Sequence, residues 1–297
     1  MQHYTSLLLQ AALSGITNGF VYALVGMGLA VIFKGSRIVN AMQGEFAVIG
    51  ALFTVLALQG GQLPYPVAII AGIAVGAVSG VAIDIFCVRP MARRNASEEG
   101  FLLLTIGLAF ALSAAALYFG GRDSHLLPGY GGDGVIEILE ATMPVHAVWL
   151  IVVSLVVVLA LRLFYTKTLL GLSMTAASAD PDGATTTGIN VSRMRLYTFM
   201  LGGGVGAIAG ILVTPLISMN YQMGIVLTLK GFAAAIMGGL SNPLGAVVGG
   251  VALGLLESLA VIGFPSGYRD VVALSILVVI MIVMPHGLLG RAGRVGG

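Results

Sequence analysis

The sequence predicts an all-α polytopic membrane protein. It has about eight or nine transmembrane helices, some broken or re-entrant, with the N-terminus outside and the C-terminus cytoplasmic. Three observations carry this. Charged residues make up 9% of the 297 residues, against about 25% in soluble domains, too few to cover a water-facing surface. The mean hydropathy is +1.03, and apolar runs long enough to cross a bilayer recur from end to end. The 43 glycines lie inside these runs, as expected where helix backbones pack closely in lipid. A soluble enzyme, a disordered regulator and a nucleic-acid binder are excluded, and a net charge of +2 offers no footprint for a polyanion. The lipid bilayer is the first partner implied. The single cysteine, Cys87, permits no internal disulfide and reads as a small packing residue.

The first apolar segment, Thr5 to Phe33, has no Lys or Arg before it and is too long for the apolar region of a signal peptide, so it reads as a retained span. The second, Ile38 to Leu58, opens on polar residues. The third is Pro66 to Val88, and the fourth runs from Phe101 to Phe119. The loop from Gly120 to Val145 carries Asp123, Asp133, Glu137 and Glu140 against Arg122, with a turn at Gly129 to Gly134. It reads as a solvated external loop or a docking surface for an external partner. The fifth segment is His146 to Tyr165 and the sixth Leu196 to Met219. The seventh, Gly224 to Gly239, is short for a full crossing and reads as a half-helix. The tight turn GGLSNPLGA leads into the eighth, Leu244 to Ile262, and the ninth is Asp270 to Met284. Residues 1–297 form one transmembrane domain, with a cytoplasmic loop at 166–195.

Lys and Arg set the orientation. Arg89, Arg93 and Arg94 share one loop, and Lys167, Arg193 and Arg195 bracket another. Lys34 and Arg37 follow the first segment, and Arg291 and Arg294 lie near the C-terminus. An odd number of crossings puts all of these on one face, the cytoplasm, and leaves Arg122 and Arg269 opposite.

Asn40, Gln43 and Glu45 lie where the second segment should be apolar, and Gly44 allows the backbone to unwind. A charge at mid-membrane costs about 2.5–3.5 kcal/mol on insertion scales, so such residues face a cavity or a partner. Asn40, Gln43, Gly44 and Glu45 are therefore candidates for a substrate path; the competing reading is an interfacial helix start, with Glu45 paired to Lys34 or Arg37. Lys230 and Glu257 are intramembrane charges that either pair or, for Lys230, snorkel to the interface. In the cytoplasmic loop, Asp180 suits an N-cap, Pro181 a first helical position and Gly188 a left-handed C-terminal cap, giving a short helix from Pro181 to Thr187. No catalytic set is visible. The four histidines are scattered without metal-ligand spacing, and there is no Walker phosphate loop. Any ATP-driven step belongs to another chain, so no cofactor or metal is expected on this one.

Three stretches carry a resemblance. GLAVIFKGSRIVNAMQGEFAVIGA (Gly28 to Ala51) resembles the N-terminal signature of the branched-chain amino acid ABC transporter permeases of the LivH type. LKGFAAAIMGGLSNPLGAVVGGVALGLLES (Leu229 to Ser258) resembles that family's C-terminal signature, and TTTGINVSRMRLYTF (Thr185 to Phe199) the segment after its coupling helix. Two departures stand out. The family's aromatic residue and His in an Asn-Phe-Ala-His-Gly-Glu run are Ala41 and Gln43 here, with Met42 between them, and its acidic residue early in the coupling region is Ala179. The resemblance implies a second, LivM-like permease subunit, two cytoplasmic ATPase subunits and an external solute-binding protein. It implies import of branched-chain or other hydrophobic amino acids, with urea, short amides or aromatic acids as alternative cargoes. It also places Asp180, Pro181, Gly188, Ile189 and Asn190 at the ATPase contact. The rival classes are an ion-coupled secondary transporter using Glu45 and Glu257, a membrane-embedded enzyme and a channel.

Overall fold

A computed structural model describes residues 2–263 except 62, 133, 139, 140 and 241, together with 271, 275, 278, 279, 282, 287 and 288. The predicted ninth segment, Asp270 to Met284, and Arg269, Arg291 and Arg294 therefore fall wholly or mostly outside the described residues, as do Asp133 and Glu140.

The described helices are α1 (Gln2–Ser36), α2 (Gln43–Gln59), α3 (Tyr65–Ile83), α4 (Arg89–Arg93), α5 (Glu98–Gly120), α6 (Val145–Lys167), α7 (Leu169–Ala179), α8 (Pro181–Thr186), α9 (Val191–Val213), α10 (Met223–Gly238) and α11 (Pro243–Gly263). A π-helical turn, Asp84–Val88, joins α3 to α4. Six of the described helical stretches are long and apolar enough to cross a membrane: Ser6–Ser36, Tyr65–Arg93, Glu98–Gly120, Val145–Lys167, Val191–Val213 and Pro243–Ile262. The second and seventh predicted segments are the shorter helices α2 and α10, of 17 and 16 residues. At 1.5 Å per residue they reach about 24–26 Å, short of a bilayer core of about 30 Å.

Burial sorts the long helices into an inner and an outer set. The most apolar window is 78% buried in α1 and 67% in α9, but 28% in α3 and α6 and 17% in α5. Glycine makes the inner packing possible. Gly15 and Gly19 of α1 lie against Leu255 and Val251 of α11, where an added Cβ would come within 2.9 and 2.6 Å of the opposing Cα. The pairing order makes α1 and α11 antiparallel. Gly76 and Gly80 of α3 meet Gly203 and Phe199 of α9 in the same way. Close backbone approach of this kind is how helices gain dispersion contact in lipid, where no hydrophobic force drives them together.

Two elements differ from the sequence reading. The segment 120–145 contains a hairpin, β1 (Val135–Ile138) paired antiparallel with β2 (Ala141–Pro144). The loop is also stapled to the helices. His125 exchanges backbone hydrogen bonds with Met219 at 2.8 Å, and the Gln10 side chain of α1 pairs with the Thr142 backbone at 2.8 and 3.0 Å. The cytoplasmic loop expected at 166–195 holds two helices. α7, capped by the Thr168 hydroxyl accepting from the Gly171 N–H at 3.0 Å, precedes the expected short helix.

Candidate functional site

The site is built where the chain leaves α1. Arg37 sits at φ 58, a left-handed conformation that turns the backbone sharply, and residues 37–42 are not helical. Unwound backbone inside apolar protein must satisfy its polar groups locally. Thr105 of α5 does part of this: its hydroxyl accepts from the Ala41 N–H at 3.2 Å and lies 3.3 Å from the Val39 carbonyl. Asn40 does more, accepting from the Met42 N–H at 3.1 Å and donating to the Gln43 side chain at 3.0 Å. Gln43 in turn donates to the Gly202 carbonyl at the middle of α9, 2.9 Å away. Asn40 and Gln43 are both buried.

Opposite this break stands the start of the short helix α10. The Gly44 N–H donates to the Thr228 hydroxyl at 2.8 Å, and Thr228 donates back to the Gly224 carbonyl at 2.9 Å. Gly44 and Gly224 are required by contact: a Cβ on Gly44 would strike the Gly224 carbonyl, and one on Gly224 would strike the Glu45 carboxylate. The first turns of two helices thus face each other in the interior, each presenting the positive end of its dipole. Glu45 lies between them at 0% exposure, and neither carboxylate oxygen has a hydrogen-bond partner among the described residues. The pairing of Glu45 with Lys34 or Arg37 does not form. Lys34 lies over the Tyr165 ring at 4.5 Å, and Arg37 over Phe33 at 5.7 Å.

Lys230 and Glu257 do meet. Lys230 Nζ is 2.7 Å from Glu257 Oε1 and 3.1 Å from the Tyr22 hydroxyl, so the cluster ties α10, α11 and α1. Snorkelling is not the fate of this lysine.

The coupling candidates form a capped unit. Asp180 Oδ1 accepts from the Gly183 N–H at 2.9 Å and opens α8 at Pro181. Gly188 adopts φ 83. Its N–H reaches the Thr185 carbonyl while the Ile189 N–H reaches that of Ala184, both at 3.0 Å, the pair of bonds that defines a Schellman cap. Asn190 then accepts from the Arg193 N–H at 3.0 Å and opens α9. The unit is joined to the break, because the Ser178 hydroxyl of α7 donates to the Lys34 carbonyl at 2.6 Å in the last turn of α1.

Sequence reasoning missed one cluster. Asp84, fully buried, holds Arg195 of α9 at 2.7 Å and Arg89 at 3.2 Å. The π turn makes the second contact possible: its wider spiral brings residues five apart onto one face, and the Arg89 N–H bonds to the Asp84 carbonyl. A carboxylate in an apolar run was the available signal, but its partner lies 111 residues away. Among the described residues no group of His, Cys, Asp and Glu could hold a metal ion.

The family model described as branched-chain amino acid transport system / permease component matches residues 11–281. The chain belongs to this family. It is 29% identical to the high-affinity branched-chain amino acid transport system permease protein LivH of Escherichia coli K12, over 95% of this chain and 96% of that protein. It is 28% identical to the permease BraD of Pseudomonas aeruginosa over 95% and 96% of the two chains. A probable LivH of Methanocaldococcus jannaschii is 28% identical over 90% and 88%. No solved structure matches. With such relatives and six helices suited to spanning among the described residues, this is a multi-pass inner-membrane transport subunit of the ABC importer class, a class that generally implies ATPase and binding-protein partners.

Proposed function

We propose that this chain is one permease subunit of a binding-protein-dependent importer that moves branched-chain or other hydrophobic amino acids inward by alternating access. The carrying observation is the likeness to branched-chain amino acid permeases along nearly the whole chain. In this reading a LivM-like second subunit completes the membrane domain. Two cytoplasmic ATPases bind ATP, and a solute-binding protein docks on the face holding the β1–β2 hairpin. The N-terminus is outside, and the face with Arg89, Arg93, Lys167 and Arg195 is cytoplasmic by the positive-inside rule. ATP shifts the permease only through contacts that differ between its two states. The route we assign runs from α8 through α7 and the Ser178–Lys34 hydrogen bond to the break at Asn40–Glu45. Reconstituted with its partners, the complex should take up leucine only with ATP inside and binding protein outside. Asp182→Cys in a Cys87→Ser background should stay unlabelled by an external impermeant thiol reagent. ATP-independent uptake driven by an ion gradient would overturn the class, and external labelling the orientation.

Gly188 tests the coupling role. An added Cβ would meet nothing within 4 Å, so the Cβ of Gly188→Val brings the cost of the left-handed backbone and no clash of its own, about 1–2 kcal/mol. The complex should still assemble, while transport-stimulated ATP hydrolysis falls severalfold. Unchanged stimulation would remove α8 from the mechanism.

A further inference from the structure

We infer that the membrane end of α6 carries a binding site for an anionic phospholipid. A cavity of about 150 Å³ opens between the last turn of α1, the end of α6 and the start of α11. Its lining mixes two chemistries. Val158, Leu161 and Leu244 supply apolar lining, and Lys34, Arg162 and Asn242 polar lining. No carboxylate lines it, and no described carboxylate pairs with Lys34 or Arg162. Two cations thus share a partly enclosed space without a counter-ion among the described residues. Lys34 is held in place by the Tyr165 ring beneath it, 4.5 Å from its ammonium.

The location selects the ligand. Leu159 and Leu163, on either side of Arg162, are 55% and 48% exposed on a helix long and apolar enough to span the bilayer. Their face of α6 meets acyl chains, and Arg162 marks where that face reaches the headgroup level. A phosphodiester headgroup would sit between Lys34 and Arg162, with its chains against the apolar lining and the leucines. Basic clefts between helices on the cytoplasmic side recognise anionic headgroups in this way. The site adjoins the Lys34 carbonyl that accepts from Ser178, so its occupant lies beside the link between α7 and α1. This goes beyond the transport reading and is independent of the cargo.

The test is native mass spectrometry of the assembled complex, purified with phosphatidylglycerol or with phosphatidylcholine, with and without excess inorganic phosphate. Phosphatidylglycerol should be retained and phosphatidylcholine lost, and free phosphate should not displace the lipid. Lys34→Gln and Arg162→Gln should each lower lipid occupancy about fivefold, whereas Arg162→Lys, which keeps the charge, should retain it. Equal retention of the neutral lipid, or wild-type occupancy in both glutamine variants, would overturn the site. So would displacement by phosphate, which would make it a free-anion site.

Discussion

Lys230→Met should strip most assembled complex from the membrane, and Lys230→Met with Glu257→Leu should restore much of it. Glu257 is fully buried, and the Lys230 side chain is 22% exposed. Removing the lysine leaves the carboxylate inside apolar helices with its cation gone. Loss of one partner of a buried pair costs about 3–5 kcal/mol, whereas an apolar pair of similar volume is often neutral or better. Most soluble proteins are stable by about 5–15 kcal/mol, so a loss of that size is large. The pair also fastens α10, too short to anchor itself across the bilayer, to α1 through Tyr22 and to α11 through Glu257. The measurement is the yield of permease co-purifying with its ATPase partner. A single variant as abundant as wild type would show that the pair holds nothing. A double variant no better than the single would show that the ion pair is needed for more than charge balance.

Hydropathy located every described long helix, because in lipid an apolar run of sufficient length has few other fates. Some boundaries moved little: the fourth segment, read as Phe101 to Phe119, is Glu98–Gly120, with its start fixed by the Ser97 cap, whereas the sixth, read as Leu196 to Met219, is Val191–Val213, opened earlier by the Asn190 cap. The short helix at 223–238 was legible from the length of its apolar run, and the α8 cap from Asp180, Pro181 and Gly188. What escaped had no periodic or compositional mark. α7 is an 11-residue helix of small residues, capped by a threonine at the end of α6, and it reads as loop because it is too short to span. The β1–β2 hairpin has four residues per strand and depends on Gln10, more than a hundred residues away. The Asp84 cluster needs both a π turn and Arg195. For Glu45, the sequence showed that a carboxylate sat in an apolar run. It did not show that the first turn of α10 would be what faced it, since that depends on the packing of α2 against α10 through Gly44 and Thr228.

Glu45→Gln should leave the amount of assembled complex near wild type while turnover per complex falls at least about tenfold, equivalent to roughly 1.4 kcal/mol on the limiting barrier. The pairing with Lys34 or Arg37 is absent, so removing the charge breaks no ion pair and assembly should not suffer. The carboxylate instead lies against Gly224 in the first turn of α10, without an accepted hydrogen bond among the described residues. A buried polar group without partners is costly and favours any rearrangement that supplies donors. Candidate donors are the N–H groups in the first turns of α2 and α10, where Gly44 now donates to the Thr228 hydroxyl, Glu45 to the Met42 carbonyl and Met223 to the Asn220 carbonyl. A small shift between these helices would bring them to the carboxylate, with a helix-dipole contribution of up to about 2 kcal/mol in partly buried geometries. The Glu45→Gln side chain would keep the shape but could never carry the negative charge that this second arrangement rewards, so the balance between the two states would move. Uptake must be normalised to assembled complex to separate this from a folding defect. Wild-type turnover per complex would remove Glu45 from the transport cycle. A fall in assembly with turnover unchanged would assign it to packing alone.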